Sequence, residues 1–257
     1  MKMFVSERRS IIMKLLKEKR RITVKELASE IGVSEATLRI DLNYLEQDNL
    51  LTRTHGGAVL NDYREEDTSF SVRSKRNIDE KMKIAEMAFE TIEHKQCILL
   101  DGSSTVLELA RYIKKQSLKL TVVTSGIQTA LELKENPNIT VILIGGVATQ
   151  GSSAIEGTLG IDVLDNVNID TMYTSANGLS ISNGLSDFNL YEVFLKNEMI
   201  KRANKVVALI DSSKIGATSS AVFAKVNEVD TLITDQPLNE DFTVELEQKG
   251  VKIVLTD

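Results

Sequence analysis

The sequence has 257 residues, 42% of them hydrophobic and 26% charged, with a formal net charge of −6. That length allows one or two domains with ample core, and no apolar run nears the roughly 18 residues of a membrane span, which excludes a transmembrane-helix protein. A single cysteine, Cys97, excludes an internal disulfide framework and fits a reducing cytoplasm, the expected location; Met1 to Arg21 is charged throughout and lacks the apolar core of a secretory signal.

A uniform acidic balance would speak against nucleic acid as a partner. The charge is not uniform. Through Leu60 the chain holds 11 basic and 8 acidic residues, a balance of +3, and the remainder holds 20 basic and 29 acidic residues, a balance of −9. The reversal predicts two domains with different partners.

From the N-terminus, Ser6 to Arg20 carries Ile12, Leu15 and Leu16 as an apolar stripe on a basic helix that ends at Arg20 and Arg21. Thr23 and Glu26 have the spacing of a capping box, which satisfies two backbone N–H groups at a helix start. The short helix that follows buries Val24, Leu27, Ala28 and Ile31, and Gly32 permits a tight turn. Ser34 then caps a longer helix with Leu38, Leu42 and Leu45 on one face. This order predicts a helix-turn-helix whose second helix enters the DNA major groove. Ala36, Ile40, Asn43 and Gln47 point outward, flanked by Arg39 on one side and Thr37 and Tyr44 on the other. Asn reads adenine, Arg takes guanine or phosphate, and an outward Ile touches a thymine methyl. Leu51 to Leu60, with Arg53, His55, Gly56 and Gly57, predicts a hairpin wing that places Arg53 and His55 near phosphate. A solvated helix face is the commoner fate of any one exposed polar residue; the layout as a whole carries the reading. Ser34, Thr37, Arg39, Ile40, Asn43, Arg53 and His55 are therefore the candidate DNA contacts of a winged helix-turn-helix over 1–60.

Residues 61–77 read as a polar linker with a basic patch at Arg73, Lys75 and Arg76. From 78 to 257 strands and helices alternate, the first helix running from Asp79 to about Glu93. Strands are predicted over Cys97–Asp101, Leu120–Thr124, Thr140–Ile144, Thr171–Ser175, Val206–Asp211, Thr231–Thr234 and Lys252–Leu255. Helices are predicted over Thr105–Lys115, Gly126–Glu135, Tyr191–Asn204 and Asn239–Gln248. Continuous apolar strands between helices mean a mostly parallel sheet covered on both faces, a Rossmann-like α/β domain.

Such sheets bind ligands beyond the C-terminal ends of their strands. Asp101-Gly102-Ser103-Ser104-Thr105 follows the first strand and leads into a helix, offering N–H groups, hydroxyls and a positive helix end to a phosphate. In isolation the plainer reading is an ordinary helix cap. Thr124-Ser125-Gly126, Gly145-Gly146 and Asp211-Ser212-Ser213-Lys214-Ile215-Gly216 follow later strands, and Lys214 adds a cation. Several polar strand ends on one edge favour a site.

The run Val33-Ser34-Glu35-Ala36-Thr37-Leu38-Arg39-Ile40-Asp41-Leu42, followed by Arg53-Thr54-His55-Gly56-Gly57-Ala58, resembles the signature of the DeoR family of bacterial transcriptional regulators. Ile40 stands where the family has a second arginine. The resemblance extends through Asp101, Ser104, Thr105, Thr124, Gly145-Gly146, Gly157, Gly178, Gly184, Glu192, Lys196 and the Asp211-to-Gly216 run. It implies a C-terminal sensor fold related to ribose-5-phosphate isomerase that binds a small phosphorylated sugar. It also implies that Asp101, Ser103, Ser104, Thr105, Thr124 and Lys214, with Gly102 in the loop, face that effector, and with them Glu192 and Lys196. For this last pair a helix-dipole partner and a solvated helix face are equally good readings.

His55 and His94 have no partner at metal-ligand spacing, and the sequence contains no Walker loop and no Gly-x-Ser-x-Gly elbow. No catalytic residue, metal or cofactor is expected. The expected function is a repressor of a carbohydrate-use operon that binds double-stranded operator DNA as a homo-oligomer, a dimer or tetramer. A phosphorylated sugar would release it. The alternatives are a sugar-phosphate isomerase with an accessory N-terminal domain, and an activator or a regulator that answers to an unphosphorylated ligand. The basic reading head favours the repressor, because an isomerase has no task for it.

Overall fold

The computed structural model describes residues 5–19, 21–47, 51–54, 56–60 and 70–256. The chain divides into two compact units, Met1–Thr68 and Ser69–Asp257.

The first unit runs α1 (Val5–Lys19), β1 (Arg21–Thr23), α2 (Val24–Ile31), α3 (Glu35–Gln47), β2 (Leu51–Thr54) and β3 (Gly57–Leu60). Its strands form an antiparallel sheet in the order β1-β3-β2. The helices pack on it through Ile12, Leu16, Leu27, Leu38, Leu42 and Leu45, which meet Ile22, Leu51 and Ala58. The capping box is present: Thr23 N donates to Glu26 Oε2 (2.8 Å), and Glu26 N donates to Thr23 Oγ1 (3.1 Å). Gly32 turns the chain with a φ of 74°.

One element of this unit was not expected. β1 runs from the expected end of the first helix, Arg21, to the capping residue Thr23, because Ile22 is buried between two exposed neighbours and so follows a strand's alternation. Its pairing with β3 explains Gly57, where a Cβ would lie 2.2 Å from the Ile22 carbonyl oxygen. β2 and β3 pair from Leu51↔Leu60 to Thr54↔Gly57, the hairpin of the expected wing. His55 lies outside the described residues.

The second unit contains α4 (Phe70–Arg73), α5 (Ile78–Phe89), β4 (Cys97–Leu100), α6 (Ser104–Ile113), β5 (Leu120–Thr124), α7 (Ile127–Leu133) and β6 (Ile139–Leu143). It continues with β7 (Val147–Ala148), β8 (Ile155–Glu156), a 3₁₀ turn (Ile161–Asn166), β9 (Thr171–Thr174), β10 (Gly178–Ser180) and β11 (Gly184–Asp187). α8 (Leu190–Ile200), β12 (Val206–Leu209), β13 (Ala221–Ala224), β14 (Thr231–Thr234), α9 (Glu240–Gln248) and β15 (Lys252–Leu255) complete it. Of the stretch expected as a linker, 61–69 lies outside the described residues. Residues 70–77 are built structure, beginning with Phe70 N donating to Gly151 O (3.2 Å).

The seven apolar runs read from the sequence form one seven-stranded sheet in the order β15-β14-β12-β9-β4-β5-β6. Every neighbouring pair in it is parallel. Apolar clusters cover both faces, with Leu99, Met172 and Ala208 in one and Ile98, Leu100, Tyr173 and Leu209 in the other. From β4 the chain winds outward through β5 and β6; from β9 it winds the opposite way through β12, β14 and β15. The reversal puts the crevice where open α/β sheets hold ligands at the C-terminal ends of β4 and β9. A three-stranded antiparallel sheet, β10-β11-β13, and a β7-β8 pair were not anticipated. Among the described residues no helix is long and apolar enough to cross a membrane.

Candidate functional site

The outer face of α3 follows from its inner one. Leu38 and Leu42 are fully buried, so Arg39, Ile40 and Asn43 stand out, with Ile40 66% exposed. Asp41 sits on the inner side at 1% exposure and takes Nε–H bonds from Arg8 (2.5 Å) and Arg9 (3.1 Å) of α1. The Arg9 guanidinium also lies 3.6 Å from the centre of the Tyr44 ring. Two of the unit's basic residues therefore serve its interior. Ser34 Oγ accepts from Thr37 N (3.2 Å) and lies 2.9 Å from the Thr37 hydroxyl, so this pair caps α3. Arg53 Nη1 donates to Asn43 Oδ1, and Arg53 N donates to Glu46 Oε1 (2.8 Å), which ties the wing strand to the reading helix. Arg39 pairs with Glu35 at 3.3 Å in the open, a weak link that a phosphate readily replaces.

In the second unit the end of β4 is a buried charge network. Asp101, fully buried, accepts from Ser103 N (2.9 Å), Thr174 Oγ1 (2.6 Å) and Ser175 N (3.1 Å). Lys196 of α8 lies 3.2 Å from the same carboxylate, and its ammonium donates to Ser175 O (2.8 Å) and Asp187 Oδ2 (2.9 Å). Burial opposes the charge on Asp101, but the Lys196 ammonium and the Ser103 and Thr174 donors outweigh it and hold the carboxyl below its ordinary value. Burial also opposes the charge on Lys196, and Asp101, Asp187 and Glu192 more than restore it. Two of the sequence candidates, Asp101 and Lys196, thus bind each other and fix the ends of β4 and β9.

Ser103 caps α6, its hydroxyl accepting from Val106 N (3.4 Å). Among the described residues the Ser104 and Thr105 N–H groups of the first turn have no acceptor, as helix geometry leaves them. Thr105 Oγ1 accepts from Ser175 Oγ (3.4 Å). Gly102 is a packing residue, since a Cβ there would lie 2.3 Å from that of Ala154, and its carbonyl takes Ser153 Oγ (3.3 Å). Thr124 is fully buried, with its hydroxyl accepting from Gly126 N (3.0 Å). Glu192 is 6% exposed and, among the described residues, receives only long bonds, from Asn189 Nδ2 (3.4 Å) and Ser152 Oγ (3.5 Å). Burial raises its pKa against the pull of Lys196. Such a group suits a ligand hydroxyl.

Four further residues join the site from outside the candidate set. Lys81 of α5, 5% exposed, donates to Arg73 O, Arg76 O (2.7 Å) and Ser104 Oγ (3.1 Å). Asn77 Nδ2 donates to Asp211 Oδ1 (2.9 Å) and Ser213 Oγ (3.2 Å) beside Lys214. The basic patch at Arg73 and Arg76, expected in a linker, belongs to this edge, and nothing in the sequence pattern marks Lys81 or Asn77. Lys214 is half-buried, which lowers its pKa; Arg76 and Arg73 lower it further, while Asp211 and Asp187 oppose. Among the described residues no group of histidine, cysteine and carboxylate side chains is placed to hold a metal ion.

Residues 76–236 match the family model for the DeoR C terminal sensor domain, and residues 8–64 match the one for the DeoR-like helix-turn-helix domain. The HTH-type transcriptional regulator GolR of Listeria innocua is 42% identical over 255 residues, 99% of this chain and 100% of that protein. The HTH-type transcriptional repressor GlcR of Bacillus subtilis is 33% identical over 255 residues, 99% of this chain and 98% of that one. These relatives are regulators of transcription, not enzymes. Among solved structures, ribose 5-phosphate isomerase A from Methanocaldococcus jannaschii aligns with 54% of this chain and 55% of its own, at 17% identity and a TM-score of 0.42.

Proposed function

The chain belongs to the DeoR family of transcriptional regulators, and on that premise we propose that it represses a carbohydrate-use operon and is released from its operator by a small phosphorylated sugar. In this reading Arg39, Ile40 and Asn43 meet base edges or phosphates in the major groove, and Arg53 and His55 meet the backbone from the wing. Ser34 and Thr37 act there by capping the reading helix. The protein binds a repeated operator as a dimer or tetramer, as helix-turn-helix proteins do on paired half-sites.

The observation that carries the effector reading is the end of β4. There the free N–H groups of Ser104 and Thr105 lie beside Lys81, and Arg73, Arg76 and Lys214 stand close by, in a part of the chain whose net charge is −9. Such a concentration of donors and cations suits a dianionic phosphate. Ser103 and Thr105 shape the loop, Asp101, Thr124 and Lys196 hold its frame, Gly102 lets it pack, and Glu192 is left for a sugar hydroxyl. Effector binding favours a state with lower operator affinity, and by linkage DNA weakens the effector by the same factor.

Purified protein incubated with pentose and hexose phosphates separates this reading from the isomerase alternative. No turnover is expected. Steady interconversion would overturn the repressor reading in favour of an enzyme.

A further inference from the structure

We propose that Arg73 and Arg76 join Lys214 in seating the effector's phosphate over the first turn of α6, and that Lys81 is the positioning residue that holds this arginine segment in place. The inference rests on the phosphorylated-effector reading above and names the groups that would bind the phosphate.

The geometry begins with Lys81. Its ammonium reaches the carbonyls of Arg73 and Arg76 and the hydroxyl of Ser104 at once, so the Arg76 carbonyl lies within about 6 Å of Ser104 Oγ. All three of its protons are used, and it is nearly inaccessible, so it positions and does not itself bind. Asn77, with a left-handed φ of 52°, anchors the other end of the segment to Asp211 and Ser213. The segment 73–77 therefore spans the gap between the loop after β4 and the loop after β12. It brings the backbone of both arginines to the strand-end edge where Lys214 sits, with the Arg73 guanidinium lying over the rings of Phe188 (5.2 Å) and Phe70 (5.8 Å).

The cations lie close enough to disfavour one another's charge. Burial pulls Lys81 down to about 8, with the positive charges of Lys214 and Arg73 adding to the effect and Asp211 and Glu108 opposing. Lys214 feels both arginines in turn. Asp211, the acid that most offsets both lysines, already accepts from Asn77, Ser213 N (3.2 Å) and Ser213 Oγ. Among the described residues neither Arg76 nor Lys214 has a carboxylate within ion-pair distance. Like charges held together repel, and a phosphate dianion with several acceptor oxygens relieves that repulsion.

The segment is also the one through which the chain enters the second unit. A phosphate bound by Arg73 and Arg76 would hold it against the sheet edge, so the effector grips the backbone that leads back to the reading head.

The test uses the full-length protein with glucose 6-phosphate, fructose 6-phosphate, ribose 5-phosphate and sugar 1-phosphates, each against its unphosphorylated sugar and against inorganic phosphate. Thermal shift and calorimetry are compared for wild type, Arg76→Gln and Lys214→Gln. Arg76 is exposed, so its variant should melt like wild type without ligand. At least one phosphorylated compound should stabilise wild type, and each variant should bind it about tenfold more weakly or worse. Hydrogen exchange at 74–76 should slow with ligand in wild type and not in Arg76→Gln. A response to inorganic phosphate alone, lost in both variants, also supports the seat and identifies free phosphate as its source. Equal affinity in wild type and Arg76→Gln would overturn the inference and leave the effector reading standing. No response of wild type to any phosphorylated compound would overturn that reading and the inference with it.

Discussion

Asp41 and Arg39 are two positions apart on one helix and do opposite things. Asp41 faces inward and ties α3 to α1 through Arg8 and Arg9, whereas Arg39 faces solvent with only Glu35 beside it. Replacing Asp41 by Asn leaves two guanidinium groups without a counter-charge, one of them 9% exposed. This should destabilise the first unit by on the order of 3 kcal/mol, read from urea unfolding. Arg39→Ala should leave stability unchanged, weaken operator binding and flatten its salt dependence by about one ion per phosphate contact. An unaltered slope would make Arg39 a base contact. At this scale the sequence was informative where a residue's neighbours in the chain determine its surroundings. Asp101 was legible because a polar residue ending an apolar strand lands on the sheet edge, and Lys214 because it lies in the short turn that follows β12. Lys81 was not, because a lysine on a helix resembles a solvated one until tertiary packing buries it, and Lys196 entered only through the family resemblance, with a solvated helix face an equally good reading.

Elements were legible in proportion to their length and apolar continuity. The seven runs from Cys97 to Leu255 became the seven parallel strands, with ends shifted by a residue or two, as Thr140–Ile144 became Ile139–Leu143. β10 and β11 escaped because they are three or four residues long and contain Gly178, Gly184 and serines, which read as loop, and β13 is a lone four-residue Ala-Val-Phe-Ala run. β1 escaped because three residues give no periodicity. Once seen, β1 yields a prediction. Gly57→Val drives side-chain atoms into the Ile22 carbonyl and should cost about 1–3 kcal/mol, or force β1 off the sheet. The melting midpoint of the isolated change should fall while effector binding is unaffected. The same substitution at Gly102 should act the other way round, displacing Ala154 and impairing effector binding first.

For the whole molecule, the net charge of −6 hides a basic head and an acidic body. The body holds its own cations together at one edge, and this leaves a mark on stability. Lys81 in the folded protein titrates near 8, below its ordinary 10.5. Between those values the unfolded chain carries a proton that the folded one does not, so stability should rise as pH climbs through this window. Lys214 shifts in the same direction, and Lys196 is raised and so acts only above the window. Urea unfolding of the second unit at pH 7.5 and 9.5 should show the rise in wild type and a smaller one in Lys81→Met. The account as a whole rests on two activities joined by linkage: DNA held by the head, and released when a phosphorylated sugar occupies the body. Fluorescence anisotropy of labelled operator DNA, titrated with full-length protein with and without the sugar phosphates above, tests this most directly. The account predicts specific binding that one phosphorylated sugar, and not its unphosphorylated form, weakens at least fivefold. Operator binding that no phosphorylated sugar weakens would contradict it.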